Sequence, residues 1–324
     1  MKIVIFKTEG YIPHTVTQEH IETIQAIDSS LEVIAVSASE NSETEPHLAD
    51  AEVVAGIPQA LPDSFKNAKN LKWIQSFSAG VDKVLASDIK ERDVLLSNIA
   101  GAQDTPIAEH ILGFLLLFTK KFHVSFRNQA KKIWERDVGA TELRGKVVLI
   151  AGLGNIGTEA ARLASCVGAR VVAVDRPGAA KPDFVEKLYG SDEWEQALPT
   201  ADFVVSCVPH TEHTHHLFNK EKFAIMKHTA VFVNISRGEV VREADLIEAL
   251  KEGIIAGAAL DVMEQEPLPK DSPLWEMENV VVTSHRAGHS EKYMGRAVEV
   301  FCINIKAYLK GEILPNQVDK ERGY

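Results

Sequence analysis

Arg237, Glu266 and His285 are a fixed cation, a carboxylate and an imidazole, the residue types needed to hold an anionic substrate and move a proton on it. Each lies at or just beyond the end of an apolar, strand-like run. Arg237 follows the run 231–234 in Asn234-Ile235-Ser236-Arg237-Gly238, and Asp261 closes the run 256–260, with Glu266 shortly after it. His285 follows the run 280–283 in Thr283-Ser284-His285-Arg286-Ala287-Gly288. In an open parallel sheet the carboxyl ends of the strands form the ligand crevice, so these side chains can converge at one edge. Singly, each has an ordinary explanation: a surface ion pair, a loop acid before Pro267, a helix-capping imidazole. Their shared location is what makes them a candidate site.

The same edge carries a nucleotide signature. Gly152-Leu153-Gly154-Asn155-Ile156-Gly157 reads GxGxxG, a pattern that is weak alone. Here a buried strand, 147–151, precedes it, a helix-like stretch, 158–164, follows it, and Gly168 stands where a C-terminal helix cap belongs. The next strand, 171–174, ends on Asp175, 18 residues past Gly157 (175 minus 157). Glycines let the backbone turn tightly against a pyrophosphate, whose charge meets N–H groups at the helix start. Asp175 would accept hydrogen bonds from the adenosine ribose. Its charge repels a 2′-phosphate and favours NAD, while the adjacent Arg176 could attract one and keeps NADP possible.

The elements that must position these residues alternate between strand-like and helix-like segments, which indicates α/β architecture with parallel sheets. Residues 1–7, 33–36, 53–56 and 73–77 read as strands of a first domain, followed by one long apolar helix around 100–126. From 147 onward six strands recur, at 147–151, 171–174, 203–206, 231–234, 256–260 and 280–283, enough for a doubly wound sheet. The tail, 288–314, reads as one amphipathic helix, too little for a domain, and is expected to pack back on the first. The expected division is 1–98 plus 288–324, discontinuous, and 99–287. A chain of 324 residues with 45% hydrophobic and 25% charged side chains is ordinary globular protein and too long for one typical core, which agrees with two domains.

Other classes are disfavoured. The longest apolar run, 111–118, falls far short of the roughly 20 residues that cross a bilayer. The N-terminal apolar stretch is too short for a signal peptide. A net charge of −11 opposes a nucleic-acid surface. Cys166, Cys207 and Cys302 lie far apart without CxxC spacing, so neither disulfides nor a zinc site is suggested and a cytoplasmic location is expected. His210, His213, His215 and His216 invite a metal reading, but no cysteine or tight carboxylate set completes such a site, and a solvated loop is the expectation.

With these residues in view, the chain resembles the D-isomer-specific 2-hydroxyacid dehydrogenase family along nearly its whole length. The match includes the 152–157 glycine turn, 234–238, Gly257-Ala258-Ala259-Leu260-Asp261-Val262, Glu266-Pro267-Leu268-Pro269, Ser272-Pro273-Leu274-Trp275 and Asn279-Val280, with Asn98, Gly101, Ala108, Glu109 and His110. The resemblance implies a flavodoxin-like substrate domain beside a Rossmann dinucleotide-binding domain. It also implies a homodimer with the helix near 101–126 in the contact, and cofactor contacts at Pro209, Ser236 and Asp261. Arg237, Glu266 and His285 take the family's catalytic places, and Ser78-Ala79-Gly80-Val81-Asp82 resembles its carboxylate-binding loop. The chain departs from the family at Ser284, where proline is usual, and at Arg286, where an apolar residue is usual.

The implied reaction moves a hydride between a nicotinamide cofactor and a small 2-keto acid or D-2-hydroxy acid. Arg237 would clamp the substrate carboxylate, His285 would give or take the proton, and Glu266 would hold the imidazole and favour its charged form. Two other readings share the fold: a dinucleotide-sensing interaction module with little turnover, and a methyltransferase using the same glycine turn. Neither explains the Arg237, Glu266 and His285 set.

Overall fold

The structure is a computed structural model that describes residues 1–7, 15–37, 46–56, 68–85 and 87–323. The chain divides into two compact units, Met1–Gln103 with His289–Tyr324, and Asp104–Gly288.

The first unit is built on a five-stranded parallel sheet of β1 (Lys2–Lys7), β2 (Glu32–Ser37), β3 (Val53–Gly56), β4 (Trp73–Ser76) and β5 (Leu95–Ser97). Their order is β2-β1-β3-β4-β5, the flavodoxin-like arrangement. The strands alternate with period 2 yet are apolar on both faces, as a covered parallel sheet demands. Ile3, Ile5, Val53 and Trp73 join one core, with helix α1 (Gln18–Gln25), and Val4, Phe6, Val54 and Ile74 join the other. Tyr293, Met294, Ala297, Val298, Phe301 and Ile305 of the C-terminal helix Tyr293–Leu309 fall at i, i+3 and i+4 spacing and bury against the first core. The Phe301 ring meets Trp73 edge-on at 5.4 Å. Cutting fully buried Trp73 to Ala would cost about 3–5 kcal/mol.

The second unit holds a seven-stranded parallel sheet of β6 (Val147–Ala151), β7 (Arg170–Asp175), β8 (Lys187–Gly190), β9 (Phe203–Ser206), β10 (Val231–Asn234), β11 (Gly257–Leu260) and β12 (Val280–Val282). The order β8-β7-β6-β9-β10-β11-β12 is the Rossmann order with one further strand at the β12 edge. The expected six strands therefore become seven. The missing one, β8, is an edge strand in which only Tyr189 is buried, so it lacks the apolar run that marks its neighbour β7.

The single helix expected over 100–126 is two helices, α2 (Asp104–Thr119) and α3 (Phe122–Ala130). Lys121 separates them with φ 57, a left-handed conformation that ends α2 with no glycine or proline to announce it. Helix α2 buries Ala108, Ile111, Leu115 and Phe118 in a core shared with Ala160, Ala161 and Ala164 of α4 (Asn155–Cys166). Among the described residues no helix is long and apolar enough to cross a membrane.

Candidate active site

Strand β6 runs into the glycine turn, and two of its glycines are fixed by sterics. Gly152 has φ 94, and a Cβ there would stand 3.0 Å from the Cys207 carbonyl oxygen. A Cβ on Gly157 would stand 1.8 Å from the Gly152 oxygen, so α4 can approach the turn only through a glycine. Gly154 is different, since a Cβ there meets nothing within 4 Å and the residue caps α4 without any side-chain bond. Asn155, Ile156 and Gly157 follow it in the first turn of α4, whose N–H groups have no intrahelical acceptors. At the end of β7, Asp175 accepts the N–H of Leu153 at 2.6 Å and that of Arg176 at 2.6 Å, which ties its carboxylate to the turn. Each oxygen keeps a further lone pair. A dinucleotide pyrophosphate and ribose fit this cradle.

Beyond β10 the chain is bent by Asn234. Its Oδ1 accepts the Ser236 N–H at 3.1 Å and hydroxyl at 2.8 Å, and its Nδ2 donates to the Arg237 carbonyl at 3.0 Å. The Ser236 hydroxyl also meets Ser206 Oγ at 2.9 Å, so it is turned into the protein. The Arg237 guanidinium donates to the Ser236 carbonyl at 2.7 Å. Gly238 follows because a Cβ there would stand 1.9 Å from the Met263 oxygen. The Arg237 turn therefore rests directly on the loop that carries Glu266.

Glu266 accepts the Met263 N–H at 3.2 Å through Oε1 and meets His285 Nδ1 at 2.8 Å through Oε2. Burial pushes its carboxyl up, but the hydrogen bond and charge of His285, the Met263 N–H and the Arg237 charge outweigh this and hold it below the ordinary carboxylate value. With Nδ1 engaged by Glu266, Nε2 is the ring nitrogen that could exchange a proton with a ligand. His285 itself has φ 49. Asp261 maintains that turn. Its carbonyl accepts the His285 N–H at 2.7 Å, and its buried carboxylate accepts the Thr283 hydroxyl and the N–H groups of Arg286 and Ala287, both at 2.9 Å. His110 Nε2 adds a 3.2 Å contact to the Thr283 hydroxyl.

In the first unit, the Ser78-Ala79-Gly80 turn is pinned from three sides. Ser76 Oγ accepts the Ser78 N–H at 3.1 Å, Asn98 Nδ2 donates to the Ala79 carbonyl at 3.0 Å, and Gln103 Oε1 accepts the Ala79 N–H at 3.3 Å. Behind it Gln75 holds the Asn98 carbonyl at 3.0 Å and Tyr293 holds the Phe77 carbonyl at 2.6 Å. Gln75 and Gln103 escaped sequence reasoning, because a glutamine without a motif carries no signal of a long-range partner.

The loop after β9 begins at Cys207 and Val208-Pro209, where the Thr214 hydroxyl donates to the Pro209 carbonyl at 2.6 Å. Of its histidines, His210 Nε2 lies 3.2 Å from His215 Nδ1, and His216 Nε2 lies 2.6 Å from Glu264 Oε1. Among the described residues, no group of three or more His, Cys, Asp or Glu side chains could hold a metal ion.

Residues 112–287 match the family described as D-isomer specific 2-hydroxyacid dehydrogenase, NAD binding domain. The chain belongs to that family. A glyoxylate reductase of Korarchaeum cryptofilum is 34% identical over 264 residues, 79% of this chain and 79% of that protein. Two solved structures resemble it over nearly its full length. A D-isomer specific 2-hydroxyacid dehydrogenase family protein of Aeromonas salmonicida has a TM-score of 0.87 at 28% identity, covering 98% of this chain and 99% of that one. An NADPH-dependent glyoxylate/hydroxypyruvate reductase of Sinorhizobium meliloti, in complex with NADP and sulfate, has a TM-score of 0.85 at 29% identity, covering both chains in full. The dehydrogenase described here accordingly transfers a hydride between a nicotinamide dinucleotide and a small 2-keto acid or D-2-hydroxy acid.

Proposed function

We propose that Arg237, Glu266 and His285 are the catalytic set of this dehydrogenase, and the observation that carries the reading is the 2.8 Å pairing of Glu266 with His285 Nδ1. Arg237 clamps the substrate carboxylate with two charge-assisted hydrogen bonds, each worth about 1.5–3 kcal/mol. A nicotinamide cofactor, when bound, would supply or accept the hydride at the substrate's C2. During reduction, negative charge grows on the carbonyl oxygen and His285 Nε2 gives it a proton, a role typically worth roughly 10² to 10⁴ in rate. In oxidation the neutral imidazole takes the hydroxyl proton. Glu266 keeps the ring aimed and supplies a counter-charge to its protonated form.

Gly152, Gly154, Asn155, Ile156 and Gly157 would hold the pyrophosphate, and Asp175 would hold the ribose. Arg176, Pro209, Ser236 and Asp261 complete the cofactor's surroundings, and the acid at Asp175 favours NAD over NADP. Ser78, Ala79 and Gly80 are the substrate contacts of the substrate domain, 1–98 with 288–324, and residues 99–287 form the NAD-binding domain. A homodimer is supported by apolar side chains exposed on and after α3, with Phe126 62% and Trp134 92% accessible. Three free cysteines suit a reducing cytoplasm.

The test is reduction of a 2-keto acid panel, with glyoxylate and hydroxypyruvate among its members, using NADH and NADPH side by side. Turnover of one acid with a clear cofactor preference supports the assignment. Tight dinucleotide binding with no turnover would overturn it.

A further inference from the structure

Among the described residues, two histidines have positive φ, His216 at 51° and His285 at 49°. Both pair with a glutamate of the same short loop, His216 with Glu264 at 2.6 Å and His285 with Glu266 at 2.8 Å. Strained backbone of this kind persists only where its surroundings over-determine it, and here both strained residues are clamped to one loop. We propose that His216 and Glu264 are positioning residues that hold Glu266, and through it His285, in register with the loop after β9. The proposal rests on the catalytic reading of Glu266 and His285.

Glu264 is held at both carboxylate oxygens and at its backbone N–H. Its Oε1 meets His216, its Oε2 accepts the Glu243 N–H at 3.0 Å in the first turn of α5 (Glu243–Lys251), and its own N–H donates to Glu243 Oε2 at 3.2 Å. An anion at a helix N-terminus is favourably placed. His216 is fixed in turn, with its N–H on the Glu239 carbonyl at 2.8 Å and its ring stacked on His215 at 3.9 Å between centroids. The loop that carries it leaves β9, which pairs with β6, the strand feeding the glycine turn, so it borders the dinucleotide crevice. Loop 262–266 thus has three fixed points: Met263 against Gly238, Glu264 against His216 and Glu243, and Glu266 against His285. Without the middle point Glu266 can drift, and drift of about 1 Å at a catalytic group costs up to about a hundredfold.

The test uses the full chain and the variants His216→Ala, Glu264→Ala and His216→Gln, with Glu266→Gln as the benchmark. It reads kcat, keto-acid KM, nucleotide Kd by fluorescence and the pH profile of kcat. The expected result is a kcat lower by about 10- to 100-fold in His216→Ala and Glu264→Ala, with KM and Kd within about threefold of the parent. Their pH profiles should be displaced in the same direction as that of Glu266→Gln, a change that loss of stability alone would not produce. His216→Gln, whose amide can still donate to Glu264, should recover most of kcat. The proposal is overturned if both alanine variants keep kcat within about twofold, or if their loss lies in nucleotide Kd alone. Should Glu264→Ala fail to fold, the two His216 variants decide the matter by the same readings. An unchanged Glu266→Gln overturns the catalytic reading and this proposal with it, whereas an altered Glu266→Gln beside unaltered His216 variants overturns only this proposal.

Discussion

The Asp261 carboxylate and His285 are joined through backbone rather than side chain: Asp261 takes the N–H of His285 on its carbonyl and those of the next two residues on its carboxylate. The turn that aims the imidazole is therefore made by an acid on the neighbouring strand. Replacing Asp261 by Ala leaves the Thr283 hydroxyl and two N–H groups without their acceptor, at about 1–3 kcal/mol for each left buried and unpaired. We expect a clear fall in Tm together with a kcat loss of about a hundredfold, measured by thermal unfolding and steady-state kinetics. A Tm loss with unchanged kcat would show that the turn survives without Asp261.

Glu266→Gln keeps the shape of the side chain and removes its charge. The protonated imidazole loses its counter-charge, so reduction should need a lower pH and kcat should fall by about 10- to 100-fold. In the parent protein Glu266 is held below the ordinary carboxylate value. A depressed acid contributes pairing that is complete above its unfolded value, near 4.3, and is lost only as pH falls through the lower folded one. The Glu266–His285 pair should thus persist below about pH 4.3, which titration of the His285 ring signals by NMR would check.

Arg237→Lys retains a positive charge but loses the planar fork. With bidentate geometry gone, kcat/KM for the keto acid should fall by about 10- to 100-fold, and nucleotide affinity should stay close to the parent value. A fall in nucleotide affinity of the same size would remove Arg237 from the substrate.

The glycine turn separates fold from ligand. Gly157→Ala drives a methyl to within 1.8 Å of the Gly152 oxygen and should destabilise the domain. Gly154→Ala meets no protein atom within 4 Å, so Tm should hold while dinucleotide binding weakens by about tenfold or more. Calorimetric unfolding and nucleotide titration on both variants check the contrast.

Acid sensitivity should trace in part to His110 and His123, both held below the ordinary imidazole value chiefly by burial. For His110 Asp261 opposes the shift and Arg286 adds to it; for His123 the Leu117 carbonyl opposes it, and Lys121 and Arg127 add to it. The unfolded chain protonates these rings first, near pH 6.5, so stability should decline as pH falls below that value and level off beneath the folded values. His110→Asn with His123→Asn should flatten the dependence of Tm on pH between about 5 and 7. An unchanged slope would assign it to other groups.

Strand ends and glycine spacing mark Arg237, Glu266, His285 and the nucleotide turn as candidates in the sequence, since each rests on a local pattern with a physical cause. Asp261 was legible as a position at a strand end, but not as the acceptor for the His285 turn, because hydrogen bonds to residues 22 to 26 positions away have no signature in spacing. The same holds for Glu264, whose partner His216 is 48 residues away. Strands β5 and β8 escaped notice because Leu95-Leu96-Ser97 and Lys187-Leu188-Tyr189-Gly190 each hold no more than two apolar residues besides glycine. The break at Lys121 escaped notice because a lysine in the left-handed region looks like any helical lysine.

Gly238 has no room for even one carbon between itself and the Met263 carbonyl. The segment proposed to grip the substrate and the segment proposed to aim the proton donor are therefore a single moulded part. Any attempt to retune this enzyme for a bulkier acid by remodelling one of them would have to carry the other along as a matched cassette.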